Sequence, residues 1–476
     1  MSTSVIRRRT TPTMVGNLQI GGGAPIRVQS MTTTDTNDTV ACVAQAKRII
    51  AAGGELVRLT TQGRREAENM ANISAALKAE GIMTPLVADV HFNANVADIA
   101  AKYCEKVRIN PGNYVDPART FKHLEYTDAE YAEELKRIEE RFVPFLNICK
   151  EYHTAVRIGV NHGSLSDRIM SRYGDTPEGI VESCMEFLRI CKREQFSNVV
   201  LSIKASNTVV MVQSVRLLVK AMDREDMHYP LHLGVTEAGE GEDGRIKSAV
   251  GIGALLTEGI GDTIRVSLSE EPEAEIPVAK KLVEGINLNP NLSLNDGILR
   301  IELNEDNPDD VVLYAAMYAG APLIDGKAKE LIIYNKGEEI SNSLSTIRSS
   351  SAGSQGENYQ LSTNILQAAR VRFTKTEYIS CPGCGRTLYD LRGTIARIKA
   401  AIGEEAKNDT RFKTLKIGIM GCIVNGPGEM ADADYGYVGA GPNKISLYKG
   451  KVCVEKAIPE ANAVERLIEF IKQDLV

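Results

Sequence analysis

Residues 55–112 read ELVRLTTQGRREAENMANISAALKAEGIMTPLVADVHFNANVADIAAKYCEKVRINPG, and this stretch decides the fold. Three β-rich apolar runs, ELVRLT (55–60), PLVADVHF (85–92) and KVRINPG (106–112), each lead into a polar or charged tip. The segments between them have the composition and apolar spacing of helices. Strands that alternate with helices in this way predict a parallel sheet.

The same unit recurs from residue 27 to residue 272. The other runs are IRVQSM (26–31), AVRIGVN (155–161), VVLSIKAS (199–206), LHLGVTEAG (231–239) and TIRVSLSEEP (263–272). Eight such units predict a closed (β/α)8 TIM-type barrel, with an open doubly wound sheet as the alternative. Before the first run, MVGNLQIGGG (14–23) predicts a hairpin that plugs the bottom of the barrel.

Composition and charge exclude several classes of protein. The chain has 476 residues, of which 43% are hydrophobic and 25% are charged, and it has no Trp. A formal net charge of −6 argues against a surface that coats nucleic acid. We expect no membrane span, because no apolar run approaches about 20 residues, and no signal peptide, because the first thirty residues lack its apolar core segment. Nine cysteines without a secretion signal favour a reducing cytoplasm over a disulfide framework.

The predicted carboxyl ends of the barrel strands, here called the mouth, carry many charged and polar side chains. The cations are Arg58, Arg108, Arg157, Lys204 and Arg265; the acids are Asp89 and Glu237; the neutral groups are His91, Asn110, Asn161, Ser206 and Ser267. Five cations against two acids give the mouth a net charge of about +3, opposite in sign to the whole chain. Any single arginine could instead pair with one of the acids as scaffold, but five in register predict a small substrate with at least two phosphate charges.

Beyond the repeated units the chain divides into further parts. We assign residues 1–286 to the barrel, 287–360 to an insert and 361–476 to a third region, here called the cysteine domain. Within the insert, the apolar patterns predict a small α/β unit followed by a flexible Ser/Gly-rich connector at 341–360. The glycine-rich segment GEGEDGRIKSAVG (239–251) predicts a mobile loop over the mouth.

The cysteine domain carries a ligand pattern typical of an iron–sulfur cluster. Cys381 and Cys384 form a Cys-x-x-Cys pair in SCPGCG, and Cys422 and Glu429 lie in GCIVNGPGE (421–429). Iron–sulfur clusters commonly use four thiolates; three thiolates with one weaker oxygen ligand would leave one iron exchangeable, which suits a cluster that binds substrate. Cys453 lies in the alternating run KVCVEK (451–456) and is interpreted as structural.

Taken together, the mouth and cysteine motifs closely resemble the 4-hydroxy-3-methylbut-2-en-1-yl diphosphate synthase family of the methylerythritol phosphate route. The resembling motifs are VQSMT, LVADVHF, RINPGN, RIGVNHGSL, IKAS, LHLGVTEAG, EGIGDTIRVSL, CPGC and GCIVNGPGE. The resemblance implies reductive opening of 2-C-methyl-D-erythritol 2,4-cyclodiphosphate at a [4Fe-4S] cluster held by Cys381, Cys384, Cys422 and Glu429. It assigns the diphosphate to Arg58, Arg108, Arg157, Lys204 and Arg265.

The remaining roles follow from that resemblance and from the chemistry it requires. Glu237 is the candidate to move a proton, and Asp89 and His91 are candidates to orient the substrate. Because the chain has no flavin or nicotinamide motif, we expect ferredoxin or flavodoxin to supply the electrons. In the short form of the family the cluster domain of one subunit caps the barrel of its dimer partner, which favours a homodimer, whereas a larger form carries an extra domain. The 113–152 connection and the insert make this chain intermediate between the two forms.

Two other functions remain open at this point. One is an aldolase or isomerase in which Lys204 forms a Schiff base and the cysteines bind structural zinc, although zinc–thiolate sites usually use four Cys or His ligands. The other is a non-enzymatic iron–sulfur carrier, which would not need five convergent cations.

Overall fold

A short antiparallel hairpin closes the bottom of the barrel. In the computed structural model, which describes residues 5–117, 125–340, 361–424, 426–430 and 432–475, β1 (Thr13–Val15) pairs with β2 (Leu18–Ile20). Val15 and Ile20 are buried against apolar side chains near the starts of four barrel strands. Those side chains are Leu56, Val87, Ala155 and Val200. The predicted plug is confirmed.

Eight parallel strands form the barrel. They are β3 (Arg27–Met31), β4 (Leu56–Thr61), β5 (Leu86–Val90), β6 (Lys106–Ile109), β7 (Ala155–Asn161), β8 (Val199–Lys204), β9 (His232–Leu233) and β10 (Thr263–Ile264). Neighbouring strands pair in parallel from β8 round to β9, and a bridge between Leu201 and Leu231 joins the two ends. The sheet therefore closes, and the alternative of an open doubly wound sheet is wrong.

Helices surround the barrel in the order that the sequence predicts. They are α1 (Thr39–Ala51), α2 (Arg64–Ala79), α3 (Ala94–Ala100), α4 (Pro111–Tyr114), α5 (Asp128–Glu151), α6 (Asp167–Tyr173), α7 (Pro177–Arg193), α8 (Thr208–Arg224), α9 (Gly241–Leu256) and α10 (Glu275–Gly285). The long connection between β6 and β7 contains α5, which starts at a capping box formed by Thr127 and Glu130. No helix in the described part of the chain is both long and apolar enough to cross a membrane.

The prediction of a mobile loop at 239–251 is wrong. Residues from Gly241 onward form α9, and nearly all of this helix is buried. It packs against α11 (Pro308–Ile324) of the insert, and two glycines allow the close approach. A Cβ on Gly253 would lie 2.7 Å from Met317 Cα, and a Cβ on Gly320 would lie 2.4 Å from the Val250 carbonyl oxygen. The glycines thus serve helix packing rather than loop mobility.

The insert contains the small α/β unit that its apolar pattern predicts. Its four-stranded sheet has the order β11 (Asn291–Asn295), β12 (Ile298–Leu303), β13 (Glu330–Asn335) and β14 (Glu338–Glu339). β12 and β13 are parallel and are connected through α11, whereas both outer pairs are antiparallel. The predicted connector at 341–360 lies outside the described residues.

The cysteine domain has a separate five-stranded sheet. Its elements are α12 (Leu361–Ala368), β15 (Glu377–Ser380), α13 (Leu391–Asn408), β16 (Lys416–Met420), α14 (Gly426–Glu429), β17 (Tyr435–Gly441), β18 (Lys444–Lys449), β19 (Val452–Pro459) and α15 (Glu460–Asp474). The first three strands are parallel and the last two pairings are antiparallel. Helices α13 and α15 bury Ile395, Ile398, Leu467 and Ile471 in the core of this sheet. The predicted smaller α+β unit after the barrel is confirmed.

Replacing Ile20 by Ala tests the importance of the plug. Ile20 is fully buried, so truncation removes apolar contacts and leaves a cavity. We expect the free energy of unfolding to fall by about 2–5 kcal/mol in urea denaturation followed by circular dichroism. Leu292→Ala, at a half-exposed position on β11, should change it by less than about 0.5 kcal/mol. Equal effects of the two substitutions would contradict a packed plug.

Candidate active site

A cavity lies between the barrel mouth and the cysteine loops. Its empty space, including the part that opens to solvent, is about 740 Å³. Among the residues predicted for the site, those lining it are Arg58, Asp89, His91, Arg108, Arg157, Asn161, Lys204, Glu237, Arg265, Ser267, Cys381, Cys384 and Cys422. The structure therefore brings both predicted halves of the site together. Glu429 lies beside this cavity, behind Thr236 and Glu237.

Strand periodicity explains how so many ionic groups reach one cavity. Side chains two residues apart on a strand point to the same face. Along β8 the inward positions are Val200, Ser202 and Lys204, so the series starts at the apolar plug and ends in a cation at the mouth. On β4, Leu56 in the plug is likewise followed two residues later by Arg58.

Asp89 is the central anion of the mouth. One of its carboxylate oxygens lies 3.0 Å from Arg108 Nη1 and 4.0 Å from Arg157 Nη2, and the other lies 3.6 Å from Arg386 Nη1. Burial alone would raise the pKa of the Asp89 carboxyl, but Arg58 and Arg108 hold it well below its ordinary value. Asp89 is therefore ionised and orders the arginines around it.

Arg265 is neutralised by an acid that the sequence analysis missed. Glu275, at the start of α10, accepts hydrogen bonds of 2.9 Å from both Nε and Nη2 of Arg265. Both side chains are almost completely buried, and Ser30 also donates to Glu275 at 2.7 Å. Glu275 could not be identified from the sequence, because a charged residue early in a helix is not distinctive of a buried ion pair. Arg265 thus contributes hydrogen bonds to the mouth but little net charge.

Arg58 and Lys204 have no such neutralising partner among the described residues. Within the described residues, no carboxylate lies within 4 Å of Arg58 or Lys204. Burial, and then the neighbouring Arg58 and Arg157, lower the pKa of Lys204 well below its ordinary value. Uncompensated cations in a buried cavity are costly unless an anion binds there. The arrangement therefore favours a multiply charged anionic ligand.

Two further basic groups lie deeper in the barrel. Lys106 on β6 and His232 on β9 are fully buried, and neither Lys106 Nζ nor His232 Nε2 has a hydrogen-bond partner in the described structure. Burial, and then Arg157, lower the pKa of Lys106 well below its ordinary value. Lys106 precedes Arg108 by two residues, so the strand alternation could have identified it as an inward group.

His91 is held as a neutral, oriented side chain. Its Nε2 contacts Arg108 Nη1, and its Nδ1 lies 3.4 Å from the Asn113 side-chain amide. Burial, and then the charge of Arg108, lower its pKa well below the ordinary value. A neutral imidazole can accept or donate a hydrogen bond without adding charge to the mouth.

The cysteine domain caps the barrel of its own chain. Ala238 and Ser380 form a parallel β-bridge, and the Ser269 hydroxyl lies 2.9 Å from the carbonyl oxygen of Cys381. Arg386, which follows the Cys-x-x-Cys pair by two residues, donates a 3.1 Å hydrogen bond to the carbonyl oxygen of Asp89. Arg386 could not be identified from the sequence, because its proximity to the mouth depends on this docking.

The three predicted cysteine ligands line one side of the cavity. The Gly421 amide donates to Cys381 Sγ at 3.2 Å, and Arg386 Nη1 lies 4.0 Å from Cys384 Sγ. Burial raises the pKa of the Cys381 thiol. Cys453, on β19, does not line this cavity; it packs against an apolar cluster of the cysteine domain that Cys381 also contacts.

Glu429 is buried beside Glu237. The Thr236 hydroxyl donates to Glu429 Oε2 at 3.0 Å, and the carboxyl groups of Glu429 and Glu237 lie within hydrogen-bonding reach of each other. Burial, and then the charge of Glu237, raise the pKa of Glu429 to about 8. Glu237 itself has a φ of 49°, a left-handed conformation that is uncommon outside glycine and often occurs at functional sites.

These donors fit a cluster better than a single ion. Among the described residues, no group of three or more His, Cys, Asp or Glu side chains is arranged to hold one metal ion. A cubane cluster needs no such group, because each ligand binds a different iron. Three cysteines on one side of a cavity, with the buried carboxyl group of Glu429 beside it, suit that larger group.

Both main parts of the chain match families of known proteins. Residues 10–280 match the GcpE TIM-barrel domain, and residues 377–473 match the GcpE protein C-terminal domain. Proteins from Bacteroides thetaiotaomicron, Phocaeicola vulgatus and Parabacteroides distasonis are each 49% identical to this chain, over 98% of both sequences. All three are named 4-hydroxy-3-methylbut-2-en-1-yl diphosphate synthase (flavodoxin). These alignments exceed 600 positions, so the relatives contain segments that this chain of 476 residues lacks.

Binding of inorganic diphosphate tests the electrostatics of the mouth. Arg157→Gln removes a buried cation while keeping much of the side-chain volume. We expect the affinity measured by isothermal titration calorimetry to fall roughly 10- to 100-fold, because a charge-assisted hydrogen bond contributes about 1.5–3 kcal/mol. Arg64→Gln, on the exposed surface of α2, is the matched control and should leave the affinity unchanged. Equal affinities for wild type and Arg157→Gln would place the anion site elsewhere.

Proposed function

The chain belongs to the GcpE family, and on that premise we propose that it converts 2-C-methyl-D-erythritol 2,4-cyclodiphosphate to (E)-4-hydroxy-3-methylbut-2-enyl diphosphate. This is an oxidoreductase reaction of isoprenoid biosynthesis. When the substrate and the product are both written as neutral acids, the reaction consumes two electrons and two protons. It opens the ring and releases one water. The observation that carries the proposal is the single cavity that joins the basic mouth to three cysteines. An aldolase with structural zinc is not supported, because the relatives carry the name of a reductive enzyme.

The mouth supplies the binding site for the cyclic diphosphate. Arg58, Arg157 and Lys204 offer basic groups that lack a close carboxylate partner among the described residues, apart from the 4.0 Å contact between Arg157 and Asp89. Arginine forks bind phosphate oxygens in pairs, so they fix orientation as well as charge. Asn161 and Ser267 add neutral hydrogen-bonding groups on the same wall. Asp89 and His91 hold the arginines in place and orient the substrate through them.

Cys381, Cys384, Cys422 and Glu429 are proposed to hold a [4Fe-4S] cluster. When bound, such a cluster supplies single electrons and a Lewis-acidic iron next to the substrate. The cavity lined by the cysteines is continuous with the basic mouth, so a diphosphate bound by the arginines would reach the cluster side. Docking of the cysteine domain on the mouth also reduces the access of bulk water to this space.

Glu237 is proposed to deliver the proton that accompanies C–O cleavage. It lines the cavity between the mouth and Cys381, and it is almost completely buried. A carboxyl group held at the wall of the cavity is placed to transfer a proton to a bound substrate. The left-handed backbone at Glu237 fixes its position relative to Thr236 and Ala238.

Flavodoxin is the proposed electron donor, rather than ferredoxin. The names of the relatives specify flavodoxin, and a carrier of single electrons matches the chemistry of the cluster. A cytoplasmic location and a homodimer stay predictions of the sequence analysis. The described site does not need a second copy to supply any of its parts, because the cysteine domain caps its own barrel.

Metal and sulfide analysis of anaerobically purified protein tests the cluster. We expect about four irons and four labile sulfides per chain in the wild-type protein. Cys381→Ser should lose most of the iron, because it removes a ligand that lines the cavity. Cys453→Ser is the matched control and should keep the full iron content. Stoichiometric zinc without labile sulfide would disprove the proposed cofactor.

Co-expression of two inactive variants tests whether each chain builds its own site. Glu237→Gln damages the barrel side and Cys422→Ser damages the cluster side. Because both sides belong to one chain, we expect the mixture to remain inactive in an anaerobic assay with an artificial one-electron reductant. If the cysteine domain capped a partner's barrel, random mixed dimers would each contain one intact site and restore about a quarter of the activity. Such recovery would contradict the docking described above.

A further inference from the structure

The four-stranded sheet of the insert ends in an exposed edge strand, β11. In the described part of the chain β11 pairs only with β12, so one side of the strand is open. All of its residues, Asn291–Asn295, are exposed. Leu292 and Leu294 are each 43% exposed, although their cross-strand neighbours Ile301 and Leu299 are buried. Because cross-strand neighbours point to the same face, the two leucines extend the apolar face of the sheet beyond its covered part.

The two edges of this sheet differ in charge. Exposed sheet edges commonly carry charged residues or Pro, which oppose pairing with another chain. The opposite edge, β14, consists of Glu338 and Glu339, and both are exposed. By contrast, β11 reads Asn-Leu-Ser-Leu-Asn, with no charged residue and no Pro. It therefore lacks the usual barrier against the addition of a further strand.

The register of the hairpin decides which backbone groups face the open side. The chain turns from β11 to β12 at Asp296–Gly297, where φ is 53° and 74°. The residues that flank such a two-residue turn, Asn295 and Ile298, form a hydrogen-bonded pair, and bonded and non-bonded pairs then alternate along the ladder. Leu292 and Leu294 fall at non-bonded positions. Their N–H and C=O groups therefore point away from β12, toward the open side.

The sequence of β11 is symmetric about Ser293, which suits pairing with a second copy of itself. A two-fold axis brings identical surfaces together, so each residue must be compatible with its counterpart across the axis. With the axis at Ser293, Leu292 faces Leu294 of the second copy, and the two can exchange backbone hydrogen bonds in both directions. Beyond the strand, Asp296 faces Pro290 of the second copy. The pairing thus joins apolar to apolar residues and opposes no like charges.

We propose that β11 is a self-association surface, through which two copies of this chain pair antiparallel and join their insert sheets into one continuous sheet. Backbone hydrogen bonds supply the affinity, as in other cases of strand addition, and the facing leucines set the register. The residues that line the active-site cavity all belong to the barrel and the cysteine domain, so this association leaves each site within its own chain. It differs from the dimer of the short family form, and it depends neither on the proposed reaction nor on the cluster.

Charged substitutions at Leu292 and Leu294 test the pairing. For the wild-type full chain, light scattering after size-exclusion chromatography should give twice the mass of one chain. Leu292→Lys with Leu294→Lys places like charges opposite each other, so we expect the dissociation constant of the dimer from sedimentation equilibrium to rise roughly 10- to 100-fold. Leu292→Glu with Leu294→Glu should weaken the dimer to a similar extent, although it changes the net charge in the opposite direction.

Leu292→Lys with Leu294→Glu is the matched control. Each new lysine then faces a new glutamate of the second copy, so we expect this variant to dimerise about as tightly as wild type. Both positions are half-exposed, so circular dichroism should show an unchanged fold in all three variants. A monomeric control variant, or a dimer that withstands the like-charged substitutions, would contradict antiparallel pairing through β11. A wild-type chain that stays monomeric at about 100 μM would overturn the proposal and leave this edge to a different partner.

Discussion

Burial of several cations inside one barrel is the constraint on which the rest of the structure depends. Arg58, Arg108, Arg157 and Lys204 lie at low exposure within one cavity, where repulsion and lost hydration are costly. Asp89 offsets part of that cost from within the mouth. The remaining excess of positive charge favours a polyanion at this site, because a bound anion would offset the cost of burial.

The cysteine domain completes this site by docking rather than by sequence proximity. It contributes Arg386 to Asp89, the cysteine loops to the far wall of the cavity, and Glu429 to the Thr236 hydroxyl. The contact is close because Gly163 and Gly428 lack side chains. The same docking contacts therefore bring the basic mouth, the three cysteines and Glu429 together.

The insert reinforces that arrangement from outside. Its helix α11 packs on α9, and α9 begins four residues after Glu237. Lys247 on α9 forms a 2.9 Å ion pair with Glu377 at the start of β15, and Arg370 pairs with the same glutamate at 2.9 Å. Barrel, insert and cysteine domain thus meet around α9. The relatives contain additional segments, yet the contacts that position the site are made by residues this chain retains.

Sequence by itself determined the barrel, the basic mouth and the candidate cysteine ligands. These follow from local regularities: strands alternate with period two, parallel strands end at one edge, and Cys-x-x-Cys is a short chelating turn. Only the tertiary structure decided that Glu275 neutralises Arg265, that Arg386 reaches Asp89 and that Thr236 holds Glu429. It also decided that segment 239–251 is mostly helix, because burial against α11 outweighs the weak helix propensity of its glycines. The physical reason is that charge pairing and packing depend on distances between residues far apart in the chain, which no local pattern encodes.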